Sequence, residues 1–242
     1  MSFLKIVFFG LAFSFYLNAQ TEKQVDHQTI LWTRYYNQLT LNDKWSIHSE
    51  FDNRVFVNPI NENLFVARVQ GRYKVKEAEV GAGLAYFSVY TQIPEVDPGF
   101  TIPEYRLQQD VTTKQSLGKI TLHHRYQIEE RFIHNSDKMG LTNGTSFSLR
   151  FRYRIQASCD VFKKENQYLK LLLSDEIMLN AGNKIVKNTF DQNRVYVALQ
   201  YGINSNIATE IGYLNSFQQR QSGVDYFNRN IIRFSIYHKL KI

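Results

Sequence analysis

Arginines spaced two residues apart are the first feature of this chain with chemical reach. Arg150, Arg152 and Arg154 alternate with Leu149, Phe151, Tyr153 and Ile155 inside residues 146–157. Successive side chains of an extended chain point to opposite faces, so this stretch has one cationic and one apolar face. A helix would scatter both sets around its axis. The same parity elsewhere collects Arg54, Arg68, Arg72, Arg106, Arg125, Arg131 and Arg194 with Glu50, Glu104, Glu129, Glu176 and Glu210. Guanidinium groups pair carboxylates in a fork, which gives such a set two uses. Acids of one strand can brace arginines of another and close the space between them, or surplus guanidiniums can receive a small anionic solute. The run at 150, 152 and 154 favours the second use, because its own strand supplies too few acids.

Other reactive side chains are sparse. His134-Asn135-Ser136 has the His-x-Ser spacing in which histidine could act as base and serine as nucleophile, which makes a barrel-borne lipid hydrolase an alternative. No third member can be assigned, and the sequence names no catalytic residue beyond this pair. His123 and His124 are adjacent, so on a strand they face opposite ways and cannot hold one metal together. A single cysteine, Cys159, excludes an intramolecular disulfide and a multi-cysteine metal site. No phosphate loop, dinucleotide fingerprint or calcium loop is present, so neither a cofactor nor a metal is expected.

The elements that must position these residues read as strands throughout. Alternation runs through residues 28–39, 45–57, 64–75, 80–91, 104–116, 120–132, 146–157, 168–180, 190–202, 206–219 and 228–242. Small residues Gly81, Gly83 and Ala85 fall on the polar parity, where they would leave room for arginines from neighbouring strands. His124 and Glu130 fall on the apolar parity, which suggests rim positions or a bulge. Short turns alternate with longer loops at 58–63, 92–103, 134–145, 181–188 and 220–227. That asymmetry suits hairpins crossing a membrane. The count is about eleven, whereas single-chain bacterial barrels carry an even number. Either a strand is hidden, or the first segment lies in the lumen or against the rim.

Residues 1–19 form the address: Lys5, an apolar run over 6–17, then Asn18 and Ala19, with cleavage expected after Ala19. The run is too short for a spanning helix, and no other stretch is long enough. Residues 20–242 then form a single domain. The 15 Tyr and 18 Phe of the full chain are spread among polar residues, and mean hydropathy is negative, as half-lipid, half-water strands would give. A net charge of +7 would suit nucleic acid, but the basic residues alternate along strands with no nucleic-acid motif, so that partner is not expected.

The fold class expected is an all-β, antiparallel up-and-down transmembrane barrel of about 10–12 strands, apolar outside with a charged lumen. A barrel that wide cannot fill its interior with apolar side chains, so its apolar face must turn to lipid. Trp32, Tyr35, Tyr36, Trp45, Tyr90, Tyr105, Tyr168 and Tyr237 lie near strand ends and would form interfacial girdles. The role expected is a monomeric outer-membrane protein, structural or a small channel and non-enzymatic, whose partners are outer-membrane lipid and a small anionic solute. A soluble periplasmic ligand-binding β-protein is a further alternative.

Four short motifs, residues 104–109, 125–132, 150–154 and 190–194, resemble an uncharacterised family of Gram-negative β-barrel-like proteins, recorded as a domain of unknown function. The resemblance implies secretion and a barrel, and it supplies no catalytic residues. The terminal Ile242 departs from the aromatic residue common at the end of outer-membrane barrels.

Overall fold

The computed structural model describes residues 23–242, so the signal expected over 1–19 lies outside the described residues. Eleven strands follow one another: β1 (Val25–Thr40), β2 (Trp45–Val57), β3 (Ile60–Val75), β4 (Ala78–Val89), β5 (Ile102–Leu117), β6 (Ile120–Ser136), β7 (Leu141–Lys164), β8 (Gln167–Ala181), β9 (Phe190–Gly202), β10 (Ile207–Gln219) and β11 (Tyr226–Lys241). Each pairs antiparallel with the next, and β1 closes the barrel against β11. In an up-and-down chain with an odd number of strands the first and last run the same way. Their seam must therefore be parallel, and it is, from Val25 opposite Tyr226 to Thr40 opposite Lys241.

That seam resolves the parity conflict and corrects two expectations. No hidden strand is needed to make the number even, and the first segment is a wall strand rather than a lumen or rim element. The connections are also redrawn. Segments 58–63 and 134–145 mostly join strands, because β3 begins at Ile60 and β7 at Leu141. Longer connections remain at 90–101, 182–189 and 220–225, all at one end, while two-residue turns at 76–77, 118–119 and 165–166 mark the other.

Register shows that the strands are steeply tilted. A row of facing residues leaves the first residue of β2, Trp45, and passes through Tyr73, Val80, Val111, Tyr126, Tyr153, Ile177, Asn193, Phe217 and Asn228 to His27. On β1, His27 precedes Ile30, whose partner Phe56 is near the far end of β2. One circuit therefore climbs almost the length of a strand, the stagger that closure of a barrel requires.

Side-chain direction follows the two-residue period. On β8, Leu172, Ser174, Glu176, Met178 and Asn180 are buried, and Leu171, Leu173, Ile177 and Leu179 are exposed. In a closed barrel the buried parity is the inside. The exterior is mostly apolar, interrupted by Gln109, His124, Glu130, Asp175 and Asn193, and the interior holds most of the charge. Gly81 fits this inside face: a Cβ there would stand 3.0 Å from Arg72 Nη1 and 3.1 Å from Asp110 Oδ2, so a side chain would push that pair by a few tenths of an ångström from its place across β4.

Not all interior side chains are charged. Ile30, Trp32, Phe56, Leu172, Tyr196, Ala198, Leu214 and Ile231 form a buried cluster inside the wall. A second, Leu64, Val66, Ala85 and Phe87, lies on β3 and β4. The aromatic expectation is corrected accordingly. Trp32, Tyr36 and Tyr237 share the inward parity with Arg34 and Arg233 and turn into the lumen, while Tyr35, Trp45 and Tyr105 are exposed outside. His124 and Glu130 do stay on the outer face, where His124 Nδ1 meets the Tyr153 hydroxyl at 2.9 Å and Gln109 Nε2 donates to Glu130 at 3.4 Å.

Candidate functional site

The lumen is built from inward residues two apart on each strand, so its chemistry is set by what the register places side by side. On β5 to β8 two of the facing pairs join opposite charges, while Arg106 faces Arg131 and Arg125 faces Arg154. Glu129 faces Arg150 across β6 and β7, and Glu176 faces Arg154 across β7 and β8. Glu129, 0% exposed, is the centre of this wall. Arg152 Nη1 donates to its Oε1 at 2.6 Å, Arg106 Nη1 to its Oε2 at 2.8 Å, and Arg150 stands 3.8 Å away. Gln127 and Gln108 also donate to Oε1, at 3.0 and 3.1 Å. Oε1 thus accepts three hydrogen bonds and Oε2 one, beside a third guanidinium, which is the kind of compensation a buried carboxylate needs.

The same arrangement repeats around Glu129. Glu176 accepts from Arg125 at 2.6 Å and from Arg152 Nη2 at 2.9 and 3.0 Å. Glu104 accepts from Arg106 at 2.7 Å and Arg131 at 2.5 Å. Asp191 takes Arg150 at 2.9 Å. Arg152 thus links two carboxylates across three strands, and the run at 150, 152 and 154 draws its acids from β6, β8 and β9. Arg154 is the member of that run left without one.

Between β9 and β4, by way of β1, the pairing is sparser. Glu210 accepts from Arg233 at 2.9 Å, from the Tyr196 hydroxyl at 2.7 Å and from the Tyr237 hydroxyl at 3.1 Å. Arg68 stands 3.6 Å from both Glu50 and Asp52, and Arg54 is 3.6 Å from Asp52. Arg72 is closed by Asp110 at 2.9 Å and by Glu79. Aromatic faces do much of the remaining work. Trp32 lies under Arg54 at 3.8 Å, Arg233 at 5.2 Å and Arg194 at 5.9 Å, and Phe87 under Arg106 at 3.5 Å. Arg229 is held by the side-chain carbonyls of Gln28, Gln218 and Gln92, at 2.7, 2.8 and 2.8 Å. Gln92 belongs to the 90–101 connection, so this arginine ties that loop down over the barrel mouth.

Two cavities occupy the interior. The larger, about 670 Å³, opens among the long connections and is lined by Gln92, Ile185 and Gln219 as well as by wall residues. The smaller, about 320 Å³, lies toward the short turns, with His123, Ser158, Lys170 and Tyr237. Arg34, Glu50, Arg68, Arg125, Arg154 and Arg233 line both, so this belt of charged side chains separates them.

Arg34, Asp52, Asp110, Asp191, Arg229 and Arg233 belong to the lumen but not to the ladder read from sequence. Parity alone would have included most of them. Asp191 is different: the ladder skips a residue where Leu179 faces Phe190 and Met178 faces Gln192, and this bulge buries Asp191 beside Gln192. His134 and Ser136 end on the long-connection rim. His134 Nδ1 contacts the Asn135 carbonyl at 3.0 Å, and a register shift separates it from Ser136. Among the described residues no hydrogen bond joins the two. His123 points inward and His124 outward, so they form no joint site.

The chain belongs to the family described as "Protein of unknown function (DUF2490)", whose sequence model matches residues 29–228. That span runs from β1 into β11 and contains all four motifs that carry the resemblance. No curated protein and no solved structure matches the chain.

Proposed function

We propose that the protein is a monomeric β-barrel of the bacterial outer membrane, with its apolar exterior in lipid and its lumen cross-braced into a non-conducting state. The observation that carries this reading is the inverted polarity of the closed wall. Leu171, Leu173, Ile177, Val195, Val197, Leu199, Ile232, Phe234 and Ile236 are exposed, while Glu129, Glu176, Arg150 and Glu210 are buried. Soluble monomers rarely expose contiguous apolar patches beyond a few hundred Å². Strands of 12 to 17 residues, apart from the longer β7, are ample for a tilted crossing, and the loop asymmetry fits short turns on one side of the membrane. One chain closes the whole sheet, leaving no edge for a partner to complete.

The belt shared by the two cavities supports a brace over an open channel. The reading assigns the protein a structural role with no enzymatic step. Two measurements test it together. The chain should fractionate with outer membranes and migrate faster unheated than boiled on a gel, and the purified barrel should show no steady conductance in planar bilayers. Recovery as a soluble periplasmic protein would sink the membrane reading, and steady conductance would replace the brace with a small channel.

A further inference from the structure

One circumferential row concentrates unmatched positive charge. Arg125, Arg154, Glu176, Arg194, Ser216 and Arg229 face one another in succession from β6 to β11. The single acid, Glu176, is already taken by Arg125 and Arg152. Among the described residues Arg154 has no carboxylate in ion-pair distance, and its buried Nε has no hydrogen-bond partner. Arg194 likewise has no carboxylate and only Gln192 as acceptor, at 2.9 Å. Across the same space Arg54 keeps a buried Nε without a partner, and its guanidinium and that of Arg194 lie within 6 Å of one Trp32 ring.

Arg54, Arg154 and Arg194 all line the larger cavity. Arg154 and Arg194 have no carboxylate in ion-pair distance and Arg54 has only Asp52 at 3.6 Å, so guanidinium charge in this cavity is under-compensated, and an anion between them lowers that cost. They approach from β2, β7 and β9, from different sides of the lumen. A carboxylate can serve two arginines, as Glu176 does for Arg125 and Arg152 of adjacent strands, but its two oxygens lie in one plane, whereas a tetrahedral oxyanion also offers oxygens out of plane to groups arriving from different sides.

We propose that the larger lumen cavity binds phosphate, free or as a phosphomonoester, between Arg54, Arg154 and Arg194. The site rests on the braced lumen described above, though not on where the barrel resides. The neighbouring ion pairs leave Arg154 and Arg194 unspent and Arg54 with Asp52 alone.

The test is calorimetric titration of the purified full chain in detergent with inorganic phosphate, glycerol phosphate and acetate. Both phosphates should bind with acetate at least tenfold weaker, and preference between the two phosphates identifies the free or esterified form. The R154Q/R194Q double variant breaks no ion pair, so it should keep heat-modifiable migration yet lose at least tenfold in phosphate affinity. R72Q, which removes a guanidinium committed to Asp110 outside both cavities, should leave affinity unchanged. A heat-modifiable wild-type barrel that binds no phosphate overturns the site and leaves the membrane reading standing. Equal loss in R72Q overturns the assignment in favour of general charge. Phosphate binding by a chain that fractionates as soluble supports the site while sinking the membrane placement.

Discussion

Two walls of the same lumen solve the burial of arginine differently. Along β5 to β8, arginine meets carboxylate: Glu104, Glu129 and Glu176 gather Arg106, Arg125, Arg131 and Arg152 at 2.5 to 2.9 Å. From β9 through β11 and β1 to β2, arginine lies on Trp32, Tyr196 and Phe227 or against glutamine carbonyls, and apart from Arg233 on Glu210 its acids stand at 3.6 to 3.9 Å. The first wall holds most of its charge in short ion pairs, although six arginines there meet four acids. The second sets five arginines beside four acids and supports them largely on aromatic faces and amide carbonyls. Short ion pairs and aromatic support therefore sit on opposite sides of one cavity, with unpaired guanidinium charge on both, Arg154 on the first wall and Arg194 on the second, and substitutions in the two walls should behave differently.

The largest effect belongs to the ionic wall. Glu129→Ala leaves Arg106, Arg150 and Arg152 short of a buried partner and should cost about 3–5 kcal/mol, the usual consequence of breaking a buried pair from one side. Urea unfolding of the detergent-folded barrel measures it, and a loss no larger than that of a surface substitution would erase the distinction between the walls. Trp32→Leu on the second wall removes the face under Arg54 and Arg233 and should cost about 2 kcal/mol, with little dependence on salt. Arg154→Gln should do the opposite of a brace mutation. Removing a buried guanidinium whose Nε is unsatisfied should raise stability by roughly 1 kcal/mol in phosphate-free buffer. The smallest global change is expected at the mouth: Gln92→Ala releases Arg229 from the 90–101 connection, so hydrogen exchange should quicken there while the unfolding midpoint stays put.

Much of this was legible in the chain. Alternation at Leu149–Ile155 against Arg150, Arg152 and Arg154 places an all-β wall, and the glycine at position 81 marks the room its neighbours need. The count of eleven was readable, but its consequence was not. Whether an odd strand is expelled or closes in parallel depends on pairing between residues two hundred positions apart, and Val25 opposite Tyr226 leaves no local trace. Residue type near strand ends misled where aromatic residues were concerned, since Trp32 and Tyr237 have the composition of a girdle but the inward parity of Arg34 and Arg233. Which acid serves which arginine was hidden for a related reason. Arg150 takes Asp191 because a bulge turns that residue inward, and bulges shift a register without announcing themselves in sequence.

The central claim is the direction of the two faces relative to lipid and water. It is tested most directly along β8 in intact outer membranes, by single cysteines at 171, 172, 173, 174, 176 and 177 in a Cys159→Ser background. Each is exposed to a lipid-partitioning thiol reagent and to a charged, water-borne one. The account predicts a strict period of two, with positions 171, 173 and 177 labelled from the lipid phase and 172, 174 and 176 protected from it. Ready modification of positions 173 and 177 by the charged reagent would contradict it.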